Sequence, residues 1–103
     1  MQALTREWVD KAEEDFSVAA GLSRRRKNRV PNVQSFHCQQ CVEKYLKARL
    51  VEAGKVPPKT HDLPQLLQLT IVHEPMWAAF MQGAKFLTDF AVAFRYQIGR
   101  AHV

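Results

Sequence analysis

Apolar positions recur along the chain at helical rather than strand spacing. From Thr5 to about Leu22 they fall at Trp8, Ala12, Phe16 and Ala19, with Val9 and Ala20 beside them. Thr5 is the expected N-cap, and the acidic residues of the first turns suit the positive end of a helix dipole. Gly21 and the basic run that follows interrupt the pattern. A second helix is expected just after Pro31, with Asn32 near its cap, and runs to Ala53. Gly54 stands where a left-handed C-terminal residue is wanted, and Pro57-Pro58 forbid continuation. On a helical wheel Cys38, Cys41, Val42, Tyr45, Leu46 and Ala53 share one arc, which predicts the core face. Gln40, Glu43, Lys44 and Lys47 occupy the opposite, solvent-facing arc, and Arg49 sits inside the apolar arc with its head able to reach water.

A short third helix follows. Asp62, with Gln65 three residues on, reads as a variant capping box, and Pro64 is tolerated in a first turn. Leu63, Leu66, Leu67 and Leu69 supply its buried side. The fourth helix is expected from about Pro75 to Arg95, where Trp77, Phe80, Ala84, Leu87, Ala91 and Phe94 recur at steps of 3, 4, 3, 4 and 3. No convincing strand, internal repeat or low-complexity tract is legible. The pattern predicts an all-α chain, an antiparallel up-down four-helix bundle.

Composition narrows the class. The 103 residues suffice for one domain and not two, and 47% apolar with 24% charged residues is the mix of a packed soluble domain. No apolar run approaches the roughly 20 residues of a bilayer span, and the first residues lack the basic-then-apolar order of a signal peptide. Two cysteines make no disulfide framework, so the expected compartment is the reducing cytoplasm, with no membrane contact.

The formal charge of +5 is unevenly spread. Residues 1–22 carry a net −3, residues 23–59 a net +8 (ten basic groups against Glu43 and Glu52), and residues 60–103 balance at zero. A basic middle segment raises the odds of a phosphate-bearing partner. The run Arg24, Arg25, Arg26, Lys27 and Arg29 is also what an ordinary solvated loop looks like.

Candidate chemistry is sparse. Cys38 and Cys41 form a C-x-x-C, but about two turns inside a helix with no strand before it, so packing explains them better than redox or metal work. No metal set and no cofactor motif is expected; His37, His61 and His73 lack matching ligand spacing. The stripe Gln40, Glu43, Lys44 and Lys47 is either a wet face with weak ion pairs or a ledge of donors for phosphate. His61 sits at the entrance of the third helix, and Arg95 and Tyr96 close the fourth. Composition and spacing alone reveal no reaction.

The stretch from Phe36 to Ala48, including Gln39-Gln40-Cys41-Val42-Glu43-Lys44-Tyr45-Leu46-Lys47-Ala48, resembles the second helix of HEPN domains (higher-eukaryote and prokaryote nucleotide-binding), which show Q-Q-A-x-E-K-x-L-K-A there. The likeness continues through Pro57-Pro58-Lys59-Thr60-His61-Asp62-Leu63, similar to P-P-x-T-H-D-L. It ends at Ala93-Phe94-Arg95-Tyr96, similar to the A-R-Y-P of the Arg-Tyr-Pro branch with one residue substituted and Gln97 in place of the proline. The resemblance implies a bundle, often of five helices and commonly homodimeric. It also implies a prokaryotic protein paired with a small nucleotidyltransferase, often as a toxin–antitoxin system. A ribonucleolytic branch carries an Arg, four to six intervening residues and then a His; Arg95 and His102, with six residues between them, have that spacing.

The last residues, Ile98-Gly99-Arg100-Ala101-His102-Val103, read as adapter-like read-through, so the expected organisation is a bundle over 1–97 and a non-native tail over 98–103. On that reading the chain is a truncated fragment without a fifth helix, and it leaves an apolar patch along the first, second or fourth helix that favours self-association. The leading functional expectation is a non-catalytic module that binds a nucleotide or RNA phosphate through Gln40, Lys44, Lys47, His61, Arg95 and Tyr96, beside a nucleotidyltransferase. The alternatives are a metal-independent endoribonuclease toxin using Arg95 and His102, and a structural bundle that binds protein.

Overall fold

The computed structural model describes residues 1–90. It holds three α-helices, α1 (Ala3–Ser23), α2 (Pro31–Glu52) and α3 (Leu63–Thr70). A 3₁₀ helix over Pro75–Phe80 leads into helical residues 81–90, here α4. The described residues contain no strand, and none of their helices is long and apolar enough to cross a membrane. The fold is an all-helical bundle.

α1 and α2 form an antiparallel hairpin. The backbone N–H of Gln2 donates to Glu52, Lys47 lies over Trp8, and Asp15 meets Lys44 and His37, so partners descend α2 as α1 ascends. Small buried residues on both helices, Ala12, Ala19, Cys41 and Ala48, permit the close approach. At the open end of the hairpin the Thr5 hydroxyl and the Gln2 N–H hold the Glu52 carboxyl below its ordinary range.

The other side of α2 carries the main apolar core. Leu46 and Leu50 pack with Leu63, Leu66, Leu67 and Ala84, and Val42, Ile71, Trp77, Met81 and Leu87 lie against them partly buried. Leu63 and Leu66 are fully buried, and each contributes about 1.5–3 kcal/mol by leaving water. α2 is therefore covered on two flanks, by α1 and by α3 with α4. His61 contacts Glu43 and Glu74 contacts Arg49, so the segment from His61 to Glu74 ascends α2 in the same sense as α2 itself. α4 then returns, bringing the Thr88 hydroxyl to accept from the Leu63 N–H at 3.0 Å.

The helix ends obey local rules. Gly54 has φ +79°, and the amides of Lys55 and Gly54 donate to the carbonyls of Leu50 and Val51, both at 2.9 Å, which closes α2 in a Schellman turn. Asp62 caps α3 by accepting from the Gln65 N–H at 3.4 Å, as its spacing predicts.

Several details differ from the pattern reading. α1 starts at Ala3 with Gln2 at the N-cap, so Thr5 lies buried within the first turn and does not cap it. Asn32 lies inside α2, whose N-cap is Val30. Asp15 is buried while its neighbour Phe16 is 62% exposed, because the α1–α2 seam is organised by ion pairs as much as by apolar contact. Leu69 is exposed and not on the buried side of α3. The fourth helix opens as a 3₁₀ segment; the change of period there places Met81 against the core and leaves Phe80 exposed. Ala91, Phe94 and the expected tail over 98–103 lie outside the described residues.

Candidate functional site

The polar stripe of α2 does not face water, which corrects its assignment to a solvent-facing arc. Glu43 and Lys47 are buried, at 3% and 7% exposure, while Tyr45 from the predicted core arc is 40% exposed. A wheel assumes one dry side, and a helix packed on two flanks has more than one. The stripe occupies the seam between α1 and the chain around His61, where each charge must find a partner.

Glu43 is the centre of that seam. Its Oε1 accepts from His61 Nδ1 at 2.8 Å and from Gln39 Nε2 at 3.2 Å, and its Oε2 accepts from Lys47 Nζ at 3.2 Å. Gln39 is wholly buried, donates also to the His61 carbonyl at 3.2 Å, and accepts from Gln40 Nε2 at 2.7 Å. Lys47 lies 5.5 Å from the Trp8 ring centroid, and Lys11 approaches the same ring at 5.6 Å. One connected network thus joins Gln40, Gln39, Glu43, Lys47 and His61.

A second network adjoins it. Asp15 accepts from Lys44 and, at 2.8 Å, from His37. Cys41 is buried close by, and burial pushes its thiol pKa up, with Asp15 and then Cys38 adding to the rise and Lys44 opposing it. A thiol held protonated in this way is a packing residue, as the in-helix position of the C-x-x-C predicts. Among the described residues no group of three or more His, Cys, Asp and Glu is arranged to hold a metal ion.

His61 is the most accessible member of the first network, with its side chain 60% exposed. Because the carboxylate is an acceptor, Nδ1 carries the donated proton, and Nε2 is left as the ring's second polar atom. Gln40 and Lys44 on α2 are half-buried and keep partial access to solvent. Of the site residues read from the sequence, Gln40, Lys47 and His61 are brought into one network, and Lys44 into its neighbour. Arg95, Tyr96 and His102 lie outside the described residues.

Trp8, Asp15, His37 and Gln39 were not among the site residues expected from the sequence. The available signal was an uninterrupted series of polar residues on α2 at spacings of three and four from His37 through Gln40 and Lys44 to Lys47, too regular to be loop-like and mixed in charge. Arg49, expected to reach water, is 28% exposed and also pairs its Nε with Glu74 at 3.1 Å on the far flank.

A second feature is an open groove of about 1010 Å³, lined by Val9, Val42, Tyr45, Trp77, Phe80 and Leu87 among others. Its walls come from α1, α2 and the segment running into α4.

No curated protein and no solved structure gives a significant match to this chain. The model of the HEPN domain matches residues 5–102, almost the full length, and so takes in both α2 with its buried polar network and the His61 turn. The chain belongs to the HEPN domain family.

Proposed function

We propose that this chain is a non-catalytic module that binds a nucleotide or RNA phosphate at the exposed face of the His61 network, with Gln40, Lys44 and Lys47 around it. Arg95 and Tyr96 belong to the same proposal on the strength of the family motif. In this reading the module acts as a homodimer beside a small nucleotidyltransferase, in a toxin–antitoxin-type pair. The observation that carries it is the His61–Glu43 contact: a buried carboxylate, saturated by three donors, orients an exposed imidazole. Such preorganisation lowers the ordering cost of anion binding. Lys44 and Lys47 are already ion-paired, so they support the site's shape more than they supply free charge.

The test follows from that division of roles. His61→Ala and Gln40→Ala remove ligand contacts from accessible positions, whereas replacing either lysine takes the ion-pair partner from a buried carboxylate, Asp15 or Glu43. Calorimetric titration with ATP is expected to show about a tenfold weaker affinity for His61→Ala, equivalent to about 1.4 kcal/mol. Unchanged affinity in both variants removes the proposal. The apolar groove favours a second reading, a bundle whose main work is to bind protein. Co-purification with a nucleotidyltransferase and no ATP affinity in the wild type selects it.

A further inference from the structure

The structure redistributes the chain's positive charge. Within the basic middle segment Lys44, Lys47 and Arg49 are each matched by a carboxylate, Asp15, Glu43 and Glu74 respectively. Arg24, Arg25, Arg26, Lys27 and Arg29 are all exposed, and among the described residues none of them forms an ion pair. The acidic residues of α1 do not reach them; the buried one, Asp15, is occupied by His37 and Lys44.

The loop is also compact. Asn28 takes a left-handed conformation at φ 55°, and its carbonyl accepts from Arg25 Nη1 at 3.2 Å, folding the run back on itself between the ends of α1 and α2. Five of the six residues from Arg24 to Arg29 are cationic, so like charges crowd one short loop. They repel one another with no internal compensation, a cost that a bound polyanion relieves. The C-terminus of α1 and the N-terminus of α2 meet at this loop and their dipoles offset each other, leaving the side chains to set the potential.

We infer that this α1–α2 loop is a docking surface for the phosphate backbone of a single-stranded RNA, separate from the His61 network. Four of the five cations are arginines, whose planar forks bind phosphate oxygens in pairs. From Ser23 to Arg29 the loop holds no apolar side chain to enter a lipid layer, which sets a membrane surface aside. A flexible strand follows a convex turn between two helices. The choice of RNA among polyanions rests on the phosphate-binding reading above; the surface itself rests on the unpaired charge.

The experiment is anisotropy titration of a fluorescent oligouridylate at about 50 and 200 mM salt, with ATP titrated in parallel. If all five cations release counterions, affinity falls roughly a hundredfold between the two conditions, at a slope of about −0.7 per phosphate contact. The variant Arg24→Gln/Arg25→Gln/Arg26→Gln/Lys27→Gln/Arg29→Gln is expected to lose most of the RNA affinity and most of the slope, with ATP affinity unchanged. The companion with lysine at all four arginine positions retains the slope. Loss of RNA binding with ATP binding intact, or in a wild type that never binds ATP, supports the loop independently of the His61 site. Wild-type RNA affinity and slope in the glutamine variant overturn it, as does wild-type binding to phosphatidylserine vesicles without binding to oligouridylate.

Discussion

Replacing Glu43 with leucine tests whether the polar seam is structural. The side chains of Glu43 and Lys47 are 4% and 9% exposed, so removing the carboxylate strands a cation that has little access to water. Breaking a buried pair by deleting one partner costs about 3–5 kcal/mol. The same change takes one of two acceptors from the wholly buried Gln39 amide, which keeps only the His61 carbonyl. Lys47→Met is expected near the low end of that range, because Glu43 still holds His61 and Gln39. In Glu43→Leu/Lys47→Met no charge is stranded, and apolar replacement of a buried pair is often neutral. The remaining deficit is the Gln39 amide, about 1–3 kcal/mol. The double variant is therefore expected to be more stable than Glu43→Leu alone, a coupling of several kcal/mol. Urea unfolding followed by circular dichroism reads this directly. At an m-value of about 1–1.5 kcal/mol per M for so small a chain, a 3 kcal/mol loss moves the midpoint by roughly 2–3 M. Single costs below about 1 kcal/mol that simply add would mark an exposed pair and refute the argument.

The two thiols are expected to separate in alkylation. With Cys41 buried and its pKa raised, iodoacetamide near neutral pH labels Cys38 first and Cys41 only on unfolding; equal native rates contradict the assigned burial. Gly54→Ala meets no atom within 4 Å of the new Cβ, so its cost comes from the left-handed backbone alone, about 1–2 kcal/mol in the same urea assay. Gly54→Asn is expected to lose less, and an alanine variant as stable as the wild type means that the Schellman turn does not need this conformation.

The elements were legible because their determinants are local. Proline and glycine punctuation, the Asp62 cap and the leucines of α3 act within a few residues of themselves, and the structure keeps all of them apart from Leu69. The phase of a helix is a different matter. Phe16 and Tyr45 are apolar and exposed, while Asp15, Gln39, Glu43 and Lys47 are polar and buried. No periodicity rule anticipates that inversion, since hydrophobic patterning assumes that polar side chains seek water rather than one another. The His61 network was legible only in part: the lysines and His61 stood out by type, but Glu43 as their common acceptor depends on residues 18 apart in sequence meeting in space.

Helix content, the two stop signals after α2 and the family motifs belong to the chain's own order of residues, because short-range sterics and capping decide them. Which face of α2 lies inside, which lysines are neutralised and which arginines are left unpaired were decided by tertiary packing. The reason is geometric: α2 is clasped from two sides, so charges in the seam between those sides had to find partners there, Lys44 in Asp15 of α1, Lys47 in Glu43 one turn back on α2, and Glu43 also in His61 beyond it.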